Sequence, residues 1–99
     1  MTNRPAAETD AVLAFMRERR AQVLSTAIDQ VASSSLTDLP AAVHAALGNV
    51  GSYQLDAAYA ALTDLSLVTS DPASSSDRIE TTRAATVTAL RALEAEVGT

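Results

Sequence analysis

Few side chains in this sequence could carry chemistry, and one histidine stands apart from the rest. His44 is the single histidine of the 99 residues, and the chain has no cysteine and no lysine. A hydrolase or transferase needs a nucleophile, a base or a metal held in mutual geometry. The carboxylates, among them Asp29, Asp38, Asp56 and Asp64, have the spacing of solvated helix-surface residues and form no metal-ligand set with the histidine. We therefore expect no self-contained catalytic activity, no cofactor and no metal site.

His44 falls in a predicted helix beside three small residues. The apolar stripe of this helix centres near Val43, and at about 100° per residue His44 points about 100° away from that centre. Ala41, Ala45 and Gly48 point about 140° to 200° away, toward solvent. Small exposed residues let the backbone of another protein approach closely, so Ala41, His44, Ala45 and Gly48 form a predicted partner-docking surface. The alternative is that the alanines only occupy exposed helix positions and that the histidine beside them has no function.

Four segments with one apolar face each must position this histidine. Apolar residues recur with the period of an amphipathic helix at about residues 6–32, 38–49, 52–68 and 77–96. Gly51 is expected to break the chain between the second and third helices, with Ser52 as the N-cap of the third. No segment alternates with the period of two that a strand requires. The sequence therefore predicts one all-α domain over residues 1–99, an antiparallel up-and-down four-helix bundle.

The four predicted helices are expected to bury one stripe each. In the first helix the stripe contains Val12, Phe15, Met16, Val23, Leu24, Ala27, Ile28 and Val31. In the second it contains Leu36, Leu39, Val43, Leu47 and Val50. In the third it contains Leu55, Ala58, Tyr59, Leu62 and Leu65, and in the fourth Ile79, Thr86, Val87, Leu90, Leu93 and Val97. Aromatic residues make up only 3% of the chain, so Leu, Val and Ala must build the interior.

The charge and the hydropathy of the chain argue against two kinds of partner. The net charge is −5, whereas binding to a nucleic-acid duplex needs clustered positive charge. The cluster of Arg17, Arg19 and Arg20 is interpreted as a solvated helix face. No apolar run approaches the roughly 20 residues of a membrane span, and no hydrophobic signal-peptide core follows the first residues. We expect a cytoplasmic protein without a nucleic-acid or membrane partner.

The order of these features resembles the histidine-containing phosphotransfer (HPt) domains of bacterial multistep phosphorelays. A long first helix precedes a helix with His44, a Gly-containing junction at 48–52, a third helix, a Ser-rich loop and a fourth helix. The resemblance covers nearly the whole chain as architecture and the stretch from Leu39 to Leu55 as motif. It implies a four-helix bundle whose second helix exposes a phospho-accepting histidine to a receiver domain. In the family a Lys and a Gly follow that histidine three and four residues later.

Two registers relate this chain to the HPt pattern, and both stay open. In the first, His44 is the phospho-acceptor, Gly48 takes the family's Gly position and Leu47 replaces the Lys. The stretch from His44 to Gly51 is then shorter than in the family. In the second, residues 48–52 align with the family's junction without a gap, and Ala41 takes the phospho-accepting position. His44 then takes the Lys position and Ala45 the Gly position, so the domain cannot accept phosphate in the usual way.

Two functions of other classes compete with the phosphorelay interpretation. Four Ala-rich helices can leave an apolar face uncovered, and a second copy could cover it, which indicates a non-catalytic interaction domain or a homodimer. A small-molecule enzyme would need a deep polar pocket that converges on His44, Tyr53 or Tyr59. The two tyrosines are six residues apart on the predicted third helix, so they do not share a face. They are interpreted as residues at the edge of the core whose hydroxyl groups contact solvent.

Overall fold

A computed structural model describes the backbone of residues 3–98 and the side chains of residues 10–97. These residues form four helices and no strand: α1 (Asn3–Ser33), α2 (Leu39–Ser52), α3 (Asp56–Ser70) and α4 (Ser76–Gly98). The helices pack as a ring in which α1 and α3 each contact both α2 and α4. The prediction of an all-α four-helix bundle is confirmed.

The core lies where all four helices overlap, and aliphatic side chains fill it. Buried side chains come from every helix: Leu24, Ala27, Ile28, Val31, Leu39, Val43, Ala46, Val50, Ala58, Leu62, Leu65 and Leu90. In α2 the buried positions recur every three or four residues, which is the spacing of one helix face. In the chain from 3 to 98, none of the helices has an apolar stretch of the length that a membrane crossing requires.

The N-terminal part of α1 extends beyond the rest of the bundle. The 31 residues of the whole α1 helix span about 46 Å at 1.5 Å per residue, whereas the 14 residues of α2 span about 21 Å. The molecule accordingly measures 63 × 20 × 18 Å. Arg19 Nη2 donates a hydrogen bond to the Tyr53 hydroxyl in the turn after α2 (3.2 Å). Val97, in the last turn of α4, lines one depression with α1 residues between Ala11 and Ala21 and a second with Leu24. The other helices therefore end about level with Arg19 to Ala21, and we call residues 3–18 the α1 extension.

The burial predicted for the start of α1 is wrong. Val12, Phe15 and Met16 are exposed, although Val12 and Met16 lie on the same side of the helix as Val23, which packs against the core. Periodicity identifies the side of a helix that is apolar, but burial also needs a neighbouring element at that level. The predicted stripes also place Leu36 and Tyr59 in the core, and the structure leaves both exposed.

The turn from α2 to α3 is made by a glutamine and not by glycine. Gly51 lies inside α2, which continues to Ser52, so the predicted break at Gly51 is wrong. Gln54 has a φ of 56°, the left-handed conformation. Its N–H donates to the Gly51 carbonyl (3.2 Å), and the N–H of Leu55 donates to the Val50 carbonyl (3.1 Å). These two bonds are the Schellman motif, which satisfies carbonyls at the helix end.

Replacing Gln54 with Gly is expected to raise the free energy of unfolding by about 0.5–1 kcal/mol. A left-handed L-residue is strained by roughly 1–2 kcal/mol, and glycine lacks that strain although it gains more backbone entropy on unfolding. Urea unfolding followed by circular dichroism measures the change. Gln54→Ala keeps the Cβ and is the control, expected within about 0.5 kcal/mol of the parent. A glycine variant no more stable than the alanine variant would contradict this prediction.

Candidate functional site

α2 presents His44 on its outer face, where the neighbouring side chains are small. Val43 and Ala46 are fully buried, and positions about 100° or more away from this buried stripe point outward. The exposed residues of this outer face include Ala41, His44, Ala45 and Gly48, and we call these four residues the α2 surface. The structure thus brings all four candidate residues of the sequence together on one open face.

His44 also lines a shallow, open depression between α2 and α3. The other residues of its lining are Leu47, Gly48, Gly51, Ser52 and Tyr59. Tyr59 stands close to Gly51, since a Cβ placed on Gly51 would lie 3.5 Å from the tyrosine Cε2 atom. The sequence pattern does not predict Gly51 and Tyr59 as neighbours of His44. Their approach depends on how α3 packs against α2, and spacing along the chain carries no signal for it.

Nothing in the described structure requires a glycine at position 48, where the helix backbone is exposed. Gly48 lies inside α2, its φ is not positive, and a Cβ built on it would meet nothing within 4 Å. Glycine in a helix interior is less stable than alanine by roughly 0.5–1 kcal/mol. Neither a turn nor close packing within the described residues compensates for this loss. The helix therefore offers an uncovered stretch of backbone one turn from His44.

The imidazole of His44 has no polar partner within the part of the chain that the structure describes. No described group forms a hydrogen bond or an ion pair with it. The nearby Ser52 hydroxyl donates to the Gly48 carbonyl (2.9 Å). A general base or nucleophile in an enzyme is normally oriented and activated by a second group. Among residues 10–97, no such group forms a hydrogen bond or an ion pair with His44.

The remaining polar candidates lie elsewhere and do not converge on His44. Tyr53 lies in the turn after α2, and not on α3 as predicted, and its hydroxyl accepts the hydrogen bond from Arg19. It lines a separate open depression with Asn49 and Thr26. Among residues 10–97, no group of three or more His, Asp or Glu side chains could hold a metal ion.

The junction on which the HPt resemblance depends is helical in this chain. Residues 48–52 form the end of α2, and α3 begins at Asp56. Ala41 and His44 are three residues apart and both exposed, so the two registers use the same α2 surface. They differ in which residue takes each position of the family's pattern, and therefore in the role of the imidazole. Comparisons of the chain with protein-family models, curated proteins and solved structures found no match.

Proposed function

We propose that this chain is a docking module of the HPt type, which binds a receiver-type partner through the α2 surface and accepts a phosphoryl group on His44. One observation carries the proposal: an exposed imidazole that forms no hydrogen bond or ion pair within the described residues, flanked by Ala41, Ala45 and Gly48. A phosphoryl transfer between two proteins needs an acceptor that another active site can reach in line. Small neighbours on the same helix face leave that approach open.

The proposed step is simple on the side of this chain. Neutral imidazole with its proton on Nδ1 attacks phosphorus through the lone pair of Nε2. The bond from phosphorus to the partner's aspartyl oxygen breaks, and the carboxylate leaves with the electron pair. The partner supplies the metal ion and the in-line geometry, while this chain supplies the acceptor atom and the docking surface. The proposal places both proteins in the cytoplasm.

The charge around the α2 surface makes this an atypical member of such a class. Between Arg20 and Arg78 the sequence contains no arginine or lysine. The family's Lys, which assists beside the phosphoryl group by its charge, has no counterpart there. Neutralisation of the phosphoryl oxygens then falls entirely to the partner's metal and its own cations. We therefore expect a phospho-His44 that returns its phosphoryl group readily to the partner.

Phosphoryl transfer from receiver domains tests the relay. The full chain is incubated with a panel of receiver domains, each phosphorylated with acetyl phosphate in the presence of Mg²⁺. The expected result is an acid-labile, base-stable phosphate on the parent chain and none on His44→Ala, whose exposed position leaves the fold intact by circular dichroism. Binding of a receiver domain without label on the parent chain would contradict the acceptor role of His44 and support the second register, in which His44→Ala weakens binding only.

A bulky substitution tests the docking surface separately from the acceptor atom. Gly48→Arg places a long side chain on the α2 surface and is expected to abolish both binding and transfer. Ala85→Arg, on an exposed position of α4, is the matched control and should retain both. The proposal is lost if no receiver domain labels or binds the chain, or if Gly48→Arg binds as well as Ala85→Arg.

A further inference from the structure

The α1 extension carries the most concentrated exposed apolar surface of the described residues. Val12 is 59% exposed, Leu13 56%, Phe15 60% and Met16 37%. These four residues lie within two helical turns, whereas the other large exposed apolar residues, such as Leu67, occur singly. Scattered apolar residues are normal on a protein surface, but a contiguous group marks an interaction site.

Leu13 and Met16 of this face continue the side of α1 that is buried inside the bundle, and Val12 and Phe15 extend the face toward the outer side of the helix. At about 100° per residue the four side chains span an arc of about 160°, and Leu13 and Met16 point the same way as the buried Leu24 and Ala27. Inside the bundle, α2 and α4 cover that side of α1. Along the extension they have ended, so the same apolar side has nothing packed against it among the described residues.

We propose that a second copy of this chain covers the extension, with the two α1 helices antiparallel. Charge complementarity selects this occupant and this direction. Asp10 and Arg17 are seven residues apart on one edge of the apolar face, beside Leu13. If the helices cross between Leu13 and Ala14, Asp10 of each copy faces Arg17 of the other. In a parallel pair the Leu13 edges of the two helices would lie on opposite sides of the contact, so Asp10 and Arg17 would not meet across it.

The same crossing point also matches the apolar residues and the end of the bundle. Phe15 of each copy meets Val12 of the other, so the two most exposed side chains of the face cover one another. The first turns of the partner's α1 reach the open end of the bundle. A cavity of about 190 Å³ lies there, and its apolar lining includes Leu24, Leu55, Leu93 and Val97.

The area available suits a reversible dimer. Each of the four side chains has an area of about 150–200 Å². At the exposed fractions given above, they expose roughly 400 Å² of apolar surface per copy. Apolar atoms make up roughly 60% of an interface, so a pair would bury about 1,300 Å² in total, at the lower end of stable interfaces. We therefore expect a dissociation constant in the micromolar range. This inference stands independently of the role proposed for His44.

Sedimentation velocity of the full chain over about 1–200 µM tests the proposal through mass action. The parent is expected to pass from monomer to dimer over this range. Phe15→Glu should raise the dissociation constant about 100-fold, because it buries a charge where Phe15 of each copy meets Val12 of the other, close to the crossing point. Leu67→Glu, at a 66% exposed position of α3, is the matched control and should dimerise like the parent.

A charge exchange tests the antiparallel direction. Asp10→Arg and Arg17→Asp each create a repulsive pair twice in the dimer, and each is expected to weaken dimerisation about tenfold. The double variant restores both pairs with reversed signs and should recover the affinity of the parent. A parent that stays monomeric at 200 µM, a Phe15→Glu dimer of unchanged affinity, or a double variant weaker than both singles would each overturn the proposal. Phe15-dependent binding to anionic vesicles by a monomeric parent would assign the face to a membrane instead.

Discussion

Leu24→Ala is expected to lower the free energy of unfolding by about 3 kcal/mol. The Leu24 side chain is fully buried where α1 meets the cavity-lining residues Leu55 and Leu93. Its truncation removes buried methyl groups and leaves a void that the neighbours fill only in part. A domain of this size is stable by about 5–15 kcal/mol, so the loss is a large share. Urea unfolding measures it.

Leu13→Ala is the matched control, because it makes the same change on the same helix. Leu13 is more than half exposed on the α1 extension, so its truncation is expected to change stability by less than about 0.5 kcal/mol. Both variants are measured at about 1 µM, where the proposed dimer is dissociated. Equal losses for Leu13→Ala and Leu24→Ala would show that the α1 extension is covered within the monomer, contrary to the structure.

Arg83→Met is expected to lower the free energy of unfolding by about 2 kcal/mol. Arg83 Nη1 donates a hydrogen bond to the carbonyl of Ser34, just beyond the end of α1, and Nη2 donates to Glu80 on its own helix. The arginine side chain is only 16% exposed. A charged donor to a part-buried carbonyl contributes about 1.5–3 kcal/mol, and a cation at a helix C-terminus adds to this. Methionine keeps most of the packing and removes both hydrogen bonds.

The contact with Ser34, and not the ion pair, is expected to carry this effect. Glu80 is half exposed, and surface ion pairs contribute about 0–1 kcal/mol. Glu80→Gln should therefore lower the free energy of unfolding by less than about 0.5 kcal/mol. Arg78→Met, at an exposed position of α4, is the control for removing an arginine and should have a similarly small effect. A loss for Glu80→Gln as large as that for Arg83→Met would show that the ion pair dominates.

The four helices and the α2 surface could be predicted because both depend on residues close together in the chain. Periodic apolar residues predict a helix and its buried side whatever the helix packs against, as in the α2 stripe around Val43. The side that faces away from the core follows from the same periodicity. This is why the positions of Ala41, His44, Ala45 and Gly48 on one exposed face follow from a helical wheel.

The end of α2 could be predicted only to within a turn. The two glycines of α2 pointed to a break, since glycine favours turns and helix ends. In the structure Gly51 is helical and Gln54 takes the left-handed position, with Leu55 packed against the core next to Val50. Burial of Leu55 against the rest of the bundle outweighs the local preference of the residue that makes the turn.

The sequence pattern alone could not separate the buried part of α1 from its extension, nor bring Tyr59 beside Gly51 and His44. Val12 and Met16 continue the apolar periodicity of Val23 and Leu24 without a break, so a helical wheel predicts the same burial for all four residues. Their exposure follows from the length of the other helices, because a side chain is buried only where a neighbouring element reaches it. The periodicity within one helix thus identifies its apolar side. Whether another helix covers that side depends on how the helices pack.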